Sequence, residues 1–228
     1  MQFYGIMVLF AYPETCILRQ NPFCYSFTEA QKHLRKVDKT MASLMRRVGK
    51  TAIRSEAELT IYESLVRAIV YQMLSTKSAA AIHSRLLDAC DDDVSPARIV
   101  ELGEGRLREI GFSRAKVASV MDLSQKIRTG AIPADQELTD ASDEDLIRCL
   151  TDVKGIGLWT VEMLMVFNLG RADVLPATDL GIRKGHMMAY GLEEMLSARE
   201  LLKAGEIWRP YRTVASWYLW RATDSVRW

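Results

Sequence analysis

The chain has 228 residues, 49% hydrophobic and 26% charged, with 30 Lys and Arg against 29 Asp and Glu for a formal net charge of +1. That balance is ordinary for a globular protein long enough to bury a full core as one domain or two intimate lobes, and it excludes a disordered chain. It also excludes a strongly basic protein that holds nucleic acid by bulk charge, so any such grip has to be local. Four scattered cysteines, Cys16, Cys24, Cys90 and Cys149, are too few for a disulfide scaffold and point to a reducing compartment.

In chain order, residues 1–27 stand apart. Met1 to Tyr12 is apolar but lacks the basic start and small-residue cleavage site of a secretory signal, and it is too short to span a bilayer. An extra strand, a docking arm and an upstream extension are all compatible with it. From Thr28 the apolar spacing becomes helical and predicts helices over 28–36, 39–48, 57–73, 76–90, 97–103, 104–110 and 113–128, with Ser95-Pro96 and Ser113 as starts. Gly130, Pro133 and the polar residues around them read as a linker over 130–141. Helices are expected again over 143–151, 158–168, 178–189, 196–203 and 210–222. The fold class is therefore all-α, with a domain over 28–228, and no repeat of 20 to 50 residues suggests a solenoid.

Two features carry chemistry. Val153-Lys154-Gly155-Ile156-Gly157 separates two helical patterns, a hairpin spanning about 145–168. Gly155 and Gly157 permit positive φ and leave no Cβ in the way, so the amides opening the second helix can meet a phosphate at the positive end of its dipole. An ordinary tight turn between two core helices would look the same. Then, 22 positions after Gly157, Leu175-Pro176-Ala177-Thr178-Asp179 ends on one carboxylate. Asp179 precedes Leu180, Ile182 and Met187 at helical spacing and so reads as an N-cap; a carboxylate can also stabilise a developing cation and take a proton from water.

Taken together, Val-Lys-Gly-Ile-Gly-Leu-Trp-Thr-Val and Val-Leu-Pro-Ala-Thr-Asp-Leu-Gly-Ile-Arg-Lys-Gly resemble the helix-hairpin-helix DNA glycosylase superfamily, and within it the 3-methyladenine glycosylase II (alkylbase) branch. Tyr71-Gln72-Met73-Leu74-Ser75 resembles that branch's Gln-Gln-Leu-Ser segment, and Trp208 to Arg212 with Trp217 to Arg221 resembles its C-terminal helix, so the likeness runs over roughly 28–222. No N-terminal β domain fits ahead of Thr28, so the chain is similar to the compact members.

The resemblance implies a two-lobed helical fold with the active site in the cleft between the lobes, Asp179 and Trp159 facing one cavity. It assigns catalysis to Asp179, a base pocket to Trp159, Met163, Tyr218 and Trp220, and DNA contacts to Gly155, Gly157, Thr160, Gln72, Met73, Ser75, Arg183 and Lys184, with Arg209, Arg212 and Arg221 as further candidates. Met73 is the expected wedge into the gap left by a flipped nucleotide, and Gln72 its polar neighbour; continuation of a helix's apolar face is the other use for Met73. Bifunctional members carry a lysine at the position of Trp159, so an indole implies base release without strand cleavage. An indole face also attracts a cationic methylated purine by roughly 0.5 to 2 kcal/mol. No cofactor is implied: no cysteine follows Cys149 to hold an iron-sulfur cluster, and with only His33, His83 and His186, and neither Cys-x-x-Cys nor His-x-x-x-His, no zinc site is expected. A sodium or potassium ion on the main-chain carbonyls of Thr151, Val153 and Ile156 is implied by the family hairpin. The expected partner is double-stranded DNA containing alkylated bases, bound by a monomer in the cytoplasm of a bacterium or the nucleus of a eukaryote, with no membrane. Release of other lesions (uracil, deaminated or etheno purines) and a non-catalytic DNA-binding module remain open readings.

Overall fold

The computed structural model describes residue 23, residues 25–53 and residues 58–224; the expectations for residues 1–22 lie outside that range. Every regular element among the described residues is helical: α1 (Phe27–Val37), α2 (Lys39–Val48), α3 (Ile61–Tyr71), α4 (Thr76–Cys90), α5 (Pro96–Ile110), α6 (Arg114–Arg128), α7 (Asp135–Asp140), α8 (Asp143–Thr151), α9 (Leu158–Phe167), α10 (Leu180–Tyr190), α11 (Ala198–Ala204), a 3-10 turn (Gly205–Trp208) and α12 (Arg212–Asp224). No described helix is long and apolar enough to cross a membrane.

Side-chain caps set most of the starts. Ser26, Asp38, Thr60, Ser75, Ser95, Ser113, Ser142, Asp179 and Ser197 each accept a hydrogen bond from an amide of the first turn, an arrangement typically worth about 1 kcal/mol per helix. The expected helix over 57–73 is shorter, because Thr60 and Glu63 close a capping box at one end and Gln72 leaves helical geometry at the other. Gly103, at φ 69, breaks α5 where two helices were expected. The expected linker over 130–141 contains α7: Ile132 and Leu138 are buried, and the Asp135 carboxylate accepts from the Ile61 amide at 2.9 Å. A six-residue helix is too short for its periodicity to show in sequence.

The chain divides into two compact units. Among the described residues, the first holds residues 58–164 and the second residue 23, residues 25–53 and residues 165–224. Leu65, Ile69, Leu86, Ile99, Leu107 and Phe112 lie in the core of the first. In the second, Leu34, Met41, Ile182, Trp208, Tyr218 and Leu219 are buried, and Asp38 pins several elements at once: its carboxylate accepts from the Met41 amide, from Trp208 Nε1 at 2.9 Å and from the Tyr190 hydroxyl.

Candidate active site

In the first unit the hairpin is built against α6. Gly155 adopts φ 77, which favours glycine, and a Cβ there would stand 2.3 Å from the Ser119 hydroxyl, which would have to turn aside. The Lys154 amide donates to Asp122 Oδ2 at 2.9 Å, and Lys126 Nζ reaches both the carbonyl and the carboxylate of Asp152 at 2.6 Å. Gly157 differs from expectation, since its φ is not positive; its carbonyl starts α9 by accepting from the Thr160 and Val161 amides. A Cβ on Gly157 would meet nothing within 4 Å, so no internal packing demands glycine there, whereas close approach of a phosphate would.

The loop before α4 has an unusual shape. Gln72 (φ −52, ψ 130) and Met73 (φ 57), with the Leu74 amide donating to the Tyr71 carbonyl at 3.3 Å, have the form of a type II turn whose third position favours glycine. Met73 occupies that position and is 95% exposed, which excludes its alternative use as a continuation of the apolar face of α3. Holding a methionine there costs of order 1 kcal/mol, a strain that is informative because the same side chain is thrust into solvent. Gln72 does not project beside it; its Nε2 donates to the Gly155 carbonyl at 3.0 Å and ties the loop to the hairpin. Ser75 is the cap of α4, bonded to the Ser78 amide and hydroxyl.

Along α9, Trp159 is half-buried, while Thr160 and Met163 are 6% and 4% exposed. This corrects two assignments. The Thr160 amide is used inside the helix start and its side chain is packed, so it has no group to offer a phosphate; Met163 has almost no surface to offer a base. The cause is the largely apolar character of α9, which is buried from Thr160 to Phe167.

In the second unit, Asp179 follows a tight turn in which Ala177 donates to the Leu175 carbonyl and Asp179 to that of Pro176. Its Oδ1 accepts from the Ile182 amide at 2.8 Å and from Trp220 Nε1 at 2.9 Å. The first bond is the N-cap read from sequence; the second was not legible there. Two glycines make it geometrically feasible. A Cβ on Gly181 would stand 3.0 Å from Asp179 Oδ1 and 3.1 Å from Trp220 Cδ1, and one on Gly185 would overlap the Leu219 carbonyl, so α10 and α12 meet backbone to backbone. The segment leading to Asp179 is stapled to α12 as well, by Val174 N to Thr213 Oγ1 at 3.0 Å and Ser216 Oγ to the Val174 carbonyl at 3.2 Å. Sequence reading missed Gly181, Gly185, Thr213 and Ser216; the glycine spacing of four on one helix face was the available signal.

Trp220 is 7% exposed and stacks on Phe167 with ring centroids 6.1 Å apart. Its polar edge is thus committed to Asp179. Tyr218, assigned to the base pocket, is 0% exposed; its hydroxyl accepts from Gln31 and Thr51 and donates to the Gly49 carbonyl, placing it in the unit's core. Arg183 likewise has a structural partner, its Nε donating to the Leu196 carbonyl at 2.7 Å, whereas Lys184 is exposed. Arg209 and Arg212 are neutralised by Asp173 and Glu206, and the Arg221 guanidinium lies over the Trp217 ring at 5.7 Å. These internal pairings could not be read from composition. A surface groove of about 240 Å³ lined by Arg85, Asp88, Ala89, Arg106, Glu109 and Ile110 contains none of the candidate residues. Among the described residues, no group of three or more His, Cys, Asp or Glu side chains is placed to hold a metal ion.

An all-helical chain with a glycine hairpin pressed on a neighbouring helix, and an N-capping aspartate fixed by an indole, defines the class. The sequence matches the HhH-GPD superfamily base excision DNA repair proteins over residues 66–210, and the chain belongs to that family. It is 38% identical to DNA-3-methyladenine glycosylase 1 of Schizosaccharomyces pombe over 201 residues, covering 87% of this chain and 88% of that one. The alkylbase DNA glycosidase-like protein mag2 of the same yeast is 32% identical over 86% of this chain and 93% of its own length. Among solved structures, the S. pombe 3-methyladenine DNA glycosylase in complex with abasic DNA superposes with a TM-score of 0.78 at 36% identity, over 88% of this chain and 98% of that one. A DNA-3-methyladenine glycosidase from Bacillus halodurans superposes at 0.79 with 32% identity, over 86% and 89%.

Proposed function

We propose that this protein is a monofunctional DNA glycosylase that excises alkylated bases of the 3-methyladenine and 7-methylguanine kind from double-stranded DNA, opening base-excision repair. The observation that carries the reading is the double anchoring of Asp179 by Ile182 N and Trp220 Nε1, at the motif position of the family's aspartate. The names of the relatives supply the lesion class.

In this reading the hairpin around Gly155 and Gly157 takes a backbone phosphate, and Met73 fills the gap left when the damaged nucleotide leaves the stack. Flipping costs a few kcal/mol, least for a damaged base. As the bond from C1′ to the base breaks, its electrons pass to the base and neutralise the positive charge that alkylation placed there, so no general acid is needed. Asp179 faces the oxocarbenium-like sugar, accepts the proton of the water whose oxygen bonds to C1′, and leaves an abasic site on an intact strand. Trp159 offers an indole face to the cationic base and no amine for a Schiff base. The protein acts as a monomer without an organic cofactor. A sodium or potassium ion on the carbonyls of Thr151, Val153 and Ile156 would brace the turn.

A panel of duplexes with single lesions tests the assignment, with released bases identified by chromatography. Release of 3-methyladenine and 7-methylguanine is expected. Release of uracil or ethenoadenine alone would move the assignment to other lesions, and binding without any release would leave a DNA-binding module.

A further inference from the structure

One stripe of α6 is not used by the reaction. Lys116, Ser119, Asp122 and Lys126 recur at steps of three and four and so share one helix face. At one end, Lys116 Nζ donates to the carbonyls of Val70 and, at 2.8 Å, Gln72, on either side of the Tyr71 carbonyl that the Leu74 amide takes. Next along, Ser119 packs under Gly155; beyond it, Asp122 takes the Lys154 amide and Lys126 the Asp152 carbonyl. The same helix therefore supports the turn that presents Met73 and the hairpin, and Gln72 Nε2 on the Gly155 carbonyl closes the bracket from the other side.

We infer that α6 is a spacer that sets the wedge loop at a fixed register from the hairpin, and that Lys116 is its positioning residue, acting on base flipping through Met73 without touching DNA. An ammonium bonded to two main-chain carbonyls suits this task. Val70 and Gln72 lie at the end of α3, where carbonyls have no helical partner, and a charged donor satisfies both while drawing them to one point. The site is partly desolvated, and burial lowers the basicity of Lys116, so holding an ammonium there carries an electrostatic cost that the two carbonyls offset. Pinning the residue before Met73 and the one three before it leaves the turn little freedom to relax its left-handed methionine.

The inference rests on Met73 being the wedge, so the test is a double-mutant cycle with two readouts: single-turnover release of 7-methylguanine, and fluorescence of 2-aminopurine placed beside the lesion as a report of unstacking. Met73→Ala, Lys116→Met and the double variant are compared at matched melting temperature. Lys116→Gln runs beside them, so that a folding failure of the methionine variant leaves a readable case. Each single change is expected to slow release about tenfold and blunt the fluorescence rise, while the double variant is within about twofold of the worse single, since coupled residues are non-additive. Undamaged-duplex affinity, which reports the hairpin, stays within about threefold. Losses that multiply, or Lys116 variants at the wild-type rate, overturn the role of Lys116 while Met73 stands. A Met73→Ala protein with normal rate and fluorescence overturns the wedge itself, and the assignment of Lys116 falls with it.

Discussion

Asp179 is held by one amide and one indole N–H on the same oxygen, which gives Trp220 a different task from lining a pocket. Trp220→Phe keeps an aromatic ring beside Phe167 but removes the donor together with the volume of the indole's second ring, so its melting temperature is measured alongside. The expected result is a kcat for base release lower by about tenfold, the equivalent of one transition-state hydrogen bond, with KM within about twofold. A rise in KM with kcat preserved would instead make Trp220 a base-contacting residue. Trp159 supports a second expectation: borohydride should trap no covalent enzyme–DNA adduct, because there is no amine at that position to form the Schiff base. A trapped adduct would return strand cleavage to the mechanism. The N-cap at Asp179 and the turn at Gly155 were legible in sequence because short motifs mark them. The bond between Trp220 and Asp179 was not, since it joins residues 41 positions apart through a helix contact that no local pattern encodes. For the same reason Tyr218 and Met163 looked like pocket residues: an aromatic or methionine at the right alignment position says nothing about which way the packed helix turns it.

Helix α10 carries the Asp179 cap at its start and meets α12 along Gly181 and Gly185. Gly185→Ala would raise intrinsic helix propensity by about 1 kcal/mol. The new methyl would, however, overlap the Leu219 carbonyl, and backbone cannot move aside cheaply. Collision wins, with a net loss of about 3 kcal/mol and a melting temperature lower by roughly 6 to 12 °C for a chain of this size. An unchanged or higher melting temperature would show that the two helices are not in contact there. Helix existence and order were mostly readable, because caps such as Ser95, Ser113 and Ser142 precede periodic runs. Short α7 was not, and neither was the stripe on α6, where four polar residues read as a solvated face until their partners are known.

Within each unit, buried polar groups make stability depend on pH. His186 stacks on Tyr190 with centroids 4.1 Å apart, and burial pushes it below the ordinary histidine value despite the opposing attraction of Asp38. Burial, with Arg67 nearby, does the same to His83. Both are therefore favoured neutral in the fold. As pH falls through about 6.5 the unfolded chain takes up these protons first, so stability present above that value declines until the folded groups also protonate. The melting temperature should fall between pH 7.5 and 5 in the wild type and fall less in His186→Gln; equal slopes would remove His186 from the effect. The near-neutral net charge fits a protein whose contacts with DNA are local, and two candidate arginines, Arg209 and Arg212, are paired with Asp173 and Glu206. Family membership, hairpin and aspartate converge on hydrolysis at one carboxylate, and single-turnover release of 7-methylguanine by wild type and Asp179→Asn, with duplex affinity measured alongside, tests this most directly. Release should drop by at least about a hundredfold with affinity retained or increased; an asparagine variant that turns over at the wild-type rate would contradict the account.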